Sequence, residues 1–165
     1  MKRKIARTLL IVLVAVFFVS MAATLQAKGK DPQCTLALTA GTYGFTTGGT
    51  VVGIGPRVSQ GIFTLDAAGN LLDGKGTASL NGSVADETFS GTYTVNPDCT
   101  GTFAIEIFNV SGIKIITATL DIVFDDNVRE LRAIYTSAVL PNGTPLGVAI
   151  TANARKLFPQ SSNQQ

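Results

Sequence analysis

Residues 91–103 read GTYTVNPDCTGTF, and this stretch decides the fold class. Threonine alternates with tyrosine, valine or phenylalanine on both sides of an Asn-Pro-Asp corner. Alternation with period two is typical of a strand that has one buried and one exposed face. Asn, Pro and Asp are typical turn residues. The stretch therefore predicts a β-hairpin whose tip carries Cys99.

The same pattern extends outward from this hairpin through most of the chain. Segments rich in Thr, Val, Ile, Phe and Tyr are separated by clusters of Gly, Asn, Asp and Pro, which is typical of strands joined by tight turns. We find no segment with a convincing helical period. The predicted turns lie at 46–50, 66–70, 80–83, 95–101, 109–112, 125–127 and 141–143.

Consecutive strands with one apolar and one polar face, joined by short turns, form an antiparallel meander. An open meander of seven or eight strands would expose two edges, and closure of the sheet removes both. We therefore expect an all-β fold, a single up-and-down meander closed into a barrel of seven or eight strands. The alternative is a β-sandwich. Alternation assigns to the interior, as candidates for lining a ligand site, Tyr43, Phe45, Phe63, Phe89, Tyr93, Phe103, Leu120, Phe124 and Tyr135.

Residues 1–27 have the layout of an export signal. Basic residues precede an apolar run at 9–19, and small residues lead up to Ala27. The run is shorter than the roughly 20 residues that a membrane span needs. Residues 20–25 are mild enough to extend it, so an uncleaved anchor is the alternative. We expect a secreted or periplasmic protein that has no membrane attachment once the signal is removed.

The predicted organisation has four parts. A signal peptide (1–27) is followed by a lead-in segment tied down by a disulfide (28–40), a barrel domain (41–156) and a disordered tail (157–165). The whole chain has 13 basic and 11 acidic residues, and four of the basic ones belong to the signal. The mature chain therefore has a formal charge of −2, and nothing in it indicates nucleic-acid binding.

The two cysteines, Cys34 and Cys99, are expected to form one disulfide. Outside the cytoplasm, a pair of cysteines in a small domain is most simply explained in this way. The alternative is a catalytic or metal-binding thiol. A metal site needs three or four ligands, and the chain has no histidine and only these two cysteines. We therefore expect neither a metal nor another cofactor.

No residue is assigned a catalytic role. The absence of histidine excludes the Ser-His-Asp and Cys-His arrangements. Glu106 and Asp121 lie within predicted strands, but alternation places both on the exterior. Asp66, Asn70 and Asp73 are explained by turn geometry better than by calcium binding. The interior assigned above contains no ionisable group apart from tyrosine hydroxyls, so proton transfer has no obvious actor there.

Four motifs occur in a characteristic order: GTYGF (41–45), GIFTLDAAGNLLDG (61–74), GTYTVNPDCTGTF (91–103) and ELRAIYT (130–136). The set resembles a group of small secreted bacterial proteins of unassigned function, marked by G-x-F-x-x-D-x-x-G-N and G-T-Y-T-V-N-x-D-C-T-G-T hairpins. The resemblance implies an architecture similar to the calycin and allene-oxide-cyclase barrels. Neither calycin lipid binding nor the cyclase reaction carries over, because the site residues cannot be matched one by one.

These observations favour an exported, non-catalytic β-barrel that binds a small apolar ligand. One alternative is a cyclase- or isomerase-like enzyme acting on a lipid-derived substrate, and another is a structural or adhesive surface module. What fills the lumen distinguishes these three functions. A polar pair in an apolar lumen would favour the enzyme, a wide dry lumen would favour ligand binding, and a filled lumen would favour the structural role.

The first prediction concerns the mature N-terminus. We expect the exported protein to begin near Lys28, because the boundary after Ala27 follows the layout of a cleaved signal; Ala22 and Ala23 are the alternative sites. The intact mass of the protein recovered from the periplasm or medium tests this. A mass that includes Met1 would show instead that residues 1–27 remain as an anchor.

Overall fold

The computed structural model describes residues 33–158. The predicted signal peptide, the start of the lead-in segment and residues 159–165 of the predicted tail lie outside this range. No helix in the described range is long and apolar enough to cross a membrane. The described elements are a short helix, α1 (Leu36–Thr39), and strands β1 (Gly41–Val51), β2 (Gly55–Leu65), β3 (Asn70–Leu80), β4 (Ser83–Val95), β5 (Thr100–Asn109), β6 (Lys114–Asp125), β7 (Glu130–Val139) and β8 (Val148–Lys156).

The eight strands form one closed antiparallel barrel in which each strand pairs with the next along the chain. The closing contact joins β1 to β8, with Tyr43 opposite Lys156 and Val51 opposite Val148. The predicted all-β, up-and-down barrel is thus confirmed, and the sandwich alternative is excluded. Closure pairs the two end strands with each other, although β7 pairs with β8 only from Glu130 to Ile134.

One predicted turn is wrong. Residues 46–50 lie inside β1, and the chain reverses at 52–54 instead. Two consecutive glycines, Gly48 and Gly49, are typical of a turn, but a glycine is needed at position 49 for a different reason. A Cβ atom at this position would lie 2.0 Å from the carbonyl oxygen of Ala149 in β8. Glycine is therefore needed here for close approach of the closing strand.

Aromatic rings fill much of the lumen. The ring centroids of Tyr43 and Phe63 are 5.4 Å apart, and those of Phe45 and Phe89 are also 5.4 Å apart. The inward positions of β3 make room for two of these rings. A Cβ atom on Gly74 would lie 2.5 Å from the ring of Phe89. Substitution of Gly74 would therefore disturb the packing of the interior as well as the strand itself.

Helix α1 packs against one end of the barrel and was not predicted. Its four residues are too few to show a helical period. Thr35 caps it by accepting a hydrogen bond from the Leu38 N–H. The Tyr43 hydroxyl donates to the Thr39 carbonyl at 2.6 Å, and the Lys156 ammonium donates to the Leu38 carbonyl at 2.9 Å. Burial raises the pKa of Tyr43, so the hydroxyl remains a donor.

The predicted Cys34–Cys99 disulfide is confirmed, and the two Cα atoms are 5.0 Å apart. It joins the segment before α1 to the tip of the β4–β5 hairpin. The Cys34 N–H also donates to the carbonyl of Pro97 at 3.2 Å. The cysteine at this exposed turn therefore fastens the N-terminal segment, and with it α1, to the barrel.

Removal of the disulfide should destabilise the fold without changing its topology. The bond spans 65 residues, and the chain-entropy model gives about 4 kcal/mol for a loop of that length. We expect the Cys34→Ser, Cys99→Ser double variant to lose roughly 2–4 kcal/mol in the free energy of unfolding. Urea denaturation measures this, and reduced wild-type protein is the control. An unchanged unfolding midpoint in both samples would contradict the predicted role of the disulfide.

Candidate functional site

The two ends of the barrel differ in what their interiors contain. We call the end that carries α1 and the loops at 66–69, 96–99 and 126–129 the helix end. The opposite end, with loops at 52–54, 81–82, 110–113 and 140–147, is the far end. Inward-facing residues near the helix end are aromatic or aliphatic. Toward the far end the inward face also has polar side chains among buried apolar ones such as Ile107 and Ile150; the polar residues are Thr47, Ser59, Arg57, Glu87 and Tyr135.

The centre of this polar region is a buried ion pair between β2 and β4. Nη2 of Arg57 donates to both carboxylate oxygens of Glu87, at 2.7 and 2.8 Å. Only 11% of the Arg57 side chain and 8% of the Glu87 side chain are exposed. The register places Ala78 of β3 between them, because Arg57 is opposite Leu80 and Glu87 is opposite Gly76. A small residue on β3 allows the two long side chains to meet across it.

The expectation that the interior lacks an ionisable group is wrong, because Arg57 and Glu87 lie inside the barrel. The sequence contains the signal that would have shown it. Counting back in steps of two from the inward-facing Phe63 gives Gly61, Ser59 and Arg57, and two residues before Phe89 is Glu87. The prediction assigned an inward face only to apolar residues and assigned no face to the polar residues near the starts of β2 and β4.

A small cavity lies in the lumen beside the ion pair. Its volume is about 40 Å³, which is room for water-sized molecules and far below the roughly 300 Å³ or more of a typical ligand pocket. Of the predicted lining residues, six surround it. They are Phe45, Phe63, Phe89, Phe103, Leu120 and Tyr135.

The other three predicted lining residues lie in the core toward the helix end. Tyr43 and Tyr93 turn their hydroxyls toward α1 and the β2–β3 turn, where Tyr93 donates to the Asp66 carbonyl at 2.7 Å. Phe124 is 4% exposed, and its ring packs 6.5 Å from that of Tyr43. These three side chains belong to the packing beneath α1 and do not border the cavity.

Three side chains that border the cavity are only half-buried. These are Phe45 and Thr47 of β1 and Tyr135 of β7. Burial raises the pKa of the Tyr135 hydroxyl, and the nearby Glu87 carboxylate raises it further, against the opposing effect of Arg57. Tyr135 is therefore a neutral hydrogen-bond donor beside the ion pair at neutral pH. Next to it in the polar region, the Thr47 and Ser59 hydroxyls bond to each other at 2.7 Å.

The acidic residues considered from sequence are remote from this cavity. Glu106 and Asp121 are exposed on the outer wall, and Glu106 pairs with Lys114 at 2.8 Å. Asp66 accepts hydrogen bonds from the Ala68 and Asn70 backbones within its own turn. Within residues 33–158, no group of three or more His, Cys, Asp or Glu side chains is arranged to hold a metal ion.

The ion pair restricts the chemistry that the lumen could perform. Both oxygens of Glu87 accept hydrogen bonds from Nη2 of Arg57, so this carboxylate is held in place by a charged partner. Arg57 has more to offer, because Glu87 engages only its Nη2 and leaves Nη1 and Nε for another acceptor. The arrangement is suited to holding a polar group next to an apolar surface.

Comparison with family models gives no match, and comparison with curated proteins gives none. Two solved structures are similar at low identity. A redesigned β-barrel, mFAP1, bound to DFHBI is 19% identical with a TM-score of 0.46, covering 74% of this chain and 98% of that chain. EF1p2_mFAP2b bound to DFHBI is 18% identical with a TM-score of 0.44, covering 72% and 94%. Likeness at this distance says nothing about what this chain binds.

The buried pair should respond asymmetrically to substitution. Arg57→Met leaves the Glu87 charge buried and unpaired, so we expect a loss of about 3–5 kcal/mol in the free energy of unfolding. The Arg57→Met, Glu87→Leu double variant removes both charges and should recover most of that loss. Lys114→Met, which breaks the exposed pair with Glu106, is the control and should cost about 0–1 kcal/mol.

Denaturation in urea measures all three variants. If Arg57→Met costs no more than Lys114→Met, the pair is not removed from solvent in the way the structure shows. If the double variant is as unstable as the single one, the two side chains do not act as a pair.

Proposed function

We propose that the protein is an exported, non-catalytic barrel that binds a small ligand in its lumen, against the aromatic rings and beside the Arg57–Glu87 pair. The observation that carries the proposal is the position of that pair. Burying two charges costs free energy that apolar side chains of similar volume would not. A barrel selected only for stability would be expected to have apolar residues there. A convergent polar group at the edge of an apolar cavity is instead the usual form of a ligand site.

The half-buried rings make such a site compatible with the small cavity. Phe45 and Tyr135 border the space and retain contact with solvent. Rotation of either ring would enlarge the cavity while leaving the fully buried packing near the helix end in place. The bound molecule would present an apolar body to Phe63, Phe89 and Phe103. A polar group on it would lie against Thr47, Ser59 and Glu87, which border the cavity.

Two considerations support the non-catalytic part of the proposal. Glu87 is held by two hydrogen bonds from Arg57, and Glu106 and Asp121 are on the outer wall. A cyclase- or isomerase-like reaction would need a proton acceptor beside the ligand, and Glu87, which borders the cavity, is already the hydrogen-bonded partner of Arg57. This alternative is therefore weaker than ligand binding, although the polar pair is the feature that would favour it.

A structural or adhesive surface module is the second candidate function. The cavity volume of about 40 Å³ favours it, because a lumen filled by its own side chains needs no guest. In that case the ion pair would serve to specify a single register of β2, β3 and β4. The two candidates differ in whether any small molecule stabilises the folded barrel.

Export is part of the proposal. The Cys34–Cys99 disulfide supports it, because disulfides persist in oxidising compartments and are rare in the cytosol. The layout of residues 1–27 supports it independently. Kinship with the small secreted bacterial proteins that share the hairpin motifs is proposed on the same footing. In the folded chain the two motif hairpins, at 61–74 and 91–103, lie on β2–β3 and β4–β5.

Binding in the lumen predicts a thermal shift that a plugged barrel cannot show. We would incubate the mature protein with small aromatic and alkyl probes and with a lipid extract, and follow the melting temperature. A ligand at about one hundred times its Kd stabilises the folded state by about 2.7 kcal/mol, which is a shift on the order of 10 °C for a domain of this size.

Neighbouring residues on β7 supply a matched control. Ala133 borders the cavity, whereas Ile134 points outward and is 52% exposed. Ala133→Leu should abolish the shift, measured against that variant's own melting temperature, and Ile134→Leu should preserve it. A shift that persists in Ala133→Leu would place binding outside the lumen. Absence of any shift in the wild type would favour the structural module.

A further inference from the structure

The four loops of the far end contain no ionisable residue. Their sequences, at 51–55, 80–84, 109–113 and 140–147, are VVGIG, LNGSV, NVSGI and LPNGTPLG. The loops of the helix end are different. They contain Asp66, Asp98, Asp126 and Arg129. Charge is therefore segregated along the barrel axis, with all the charged loop residues at the end that carries α1.

Apolar side chains project from these uncharged loops. Val52 is 66% exposed, Val110 is 77% exposed and Ile113 is 62% exposed. Ile54 and Val84 are also exposed. We call these five residues the far-end rim. Exposed apolar residues are common when scattered singly. Here they come from the β1–β2 loop, the β5–β6 loop and the start of β4, which lie together at the same end of the lumen.

Several backbone N–H groups of these loops have hydrogen-bond partners within the loops. In the β5–β6 loop, the Asn109 side chain accepts from the N–H groups of Ser111 and Ile113, each at 3.0 Å. The Val52 N–H donates to the Gly147 carbonyl at 2.8 Å. Internal pairing of polar backbone groups lowers the cost of moving a loop out of water. The nearest cation, Lys114, bonds to Glu106, which lies farther along the wall toward the helix end.

We propose that the far-end rim docks on a lipid surface of low net charge, so that the far end of the lumen faces the lipid. Apolar side chains enter the headgroup region and the charged helix end remains in water. Insertion of these loops would remove no ionised loop residue from water, which is the largest cost of placing protein in a membrane interface. This revises the expectation that the mature protein has no contact with membranes.

A lipid surface fits this rim better than a protein does. The five side chains come from three separate places around the end of a lumen, namely two loops and the start of β4. A protein partner or a second copy would need a surface shaped to those separate projections. Lipid is fluid and conforms to each projection without a matched shape. An uncharged rim also offers no charge to direct a partner, whereas uncharged lipid requires none.

Single tryptophans provide a direct test, because the chain contains none. We would compare Val110→Trp, on the rim, with Val58→Trp, on the outer wall of β2, where Val58 is 53% exposed. Each full mature protein is mixed with phosphatidylcholine vesicles and tryptophan emission is recorded. We expect a blue shift, and quenching by brominated lipid, for Val110→Trp only.

Flotation with the same vesicles gives a second measurement on otherwise native protein. The Val110→Asp, Ile113→Asp variant should bind vesicles about tenfold or more weakly than wild type, because two charges would enter the interface. Val58→Asp, Ile134→Asp is the matched control, with the same residue types and charge placed on the outer wall, and should bind as wild type does. Melting temperatures check that each variant folds.

The outcomes of these experiments distinguish a lipid surface from a second copy of the chain as the partner of the far-end rim. Wild-type protein that does not float with vesicles would overturn the proposal, as would equal blue shifts at positions 110 and 58. A concentration-dependent blue shift of Val110→Trp without vesicles would also overturn it and would identify the rim as a contact between copies. None of these readouts depends on a molecule bound in the lumen, so failure here leaves the proposed ligand site untouched.

Discussion

The pairing of β1 with β8 is the constraint on which the rest of the structure depends. It joins residues about a hundred positions apart in the chain, from Tyr43 opposite Lys156 to Val51 opposite Val148. Without it the meander would expose two strand edges, and its apolar face would be open to water. With it, the same face becomes an interior that must be filled. The glycine at position 49 is a direct cost of closure, because a side chain there would collide with β8.

The filled interior is graded along its axis. Near the helix end, rings such as Tyr43 and Phe63 stack, and α1 is held over them by tyrosine hydroxyls. Near the far end, the same inward positions of β2 and β4 hold Arg57 and Glu87. Hydrophobic burial stabilises both halves, but the far half also holds a desolvated pair whose net contribution to stability is small. We therefore place the proposed ligand site in the half that contains the ion pair, because packing alone does not explain that pair.

Alternation predicted the barrel because inward-facing apolar residues recur at every second position along each strand. Phe89 and Phe103 could be placed inside on that basis. The ion pair could have been placed by the same rule, but its partners are polar and stand near turns. Helix α1 is too short to carry a period. The size of the cavity could not be predicted at all, since it depends on how the rings of Phe45 and Phe89 settle over Gly76 and Gly74 at the scale of a few tenths of an ångström.

The disulfide also determines how the protein would carry a mechanical load. Because Cys34 is bonded to Cys99, tension applied to the two ends of the chain passes directly from the N-terminal segment to the start of β5. The covalent loop between them contains α1 and β1 to β4, so that half of the barrel lies off the line of force. Only β5 to β8 could be drawn out while the sulfur–sulfur bond holds. A domain of this build pulled at its termini would lengthen by its C-terminal half alone, and reduction of one bond would release the remainder.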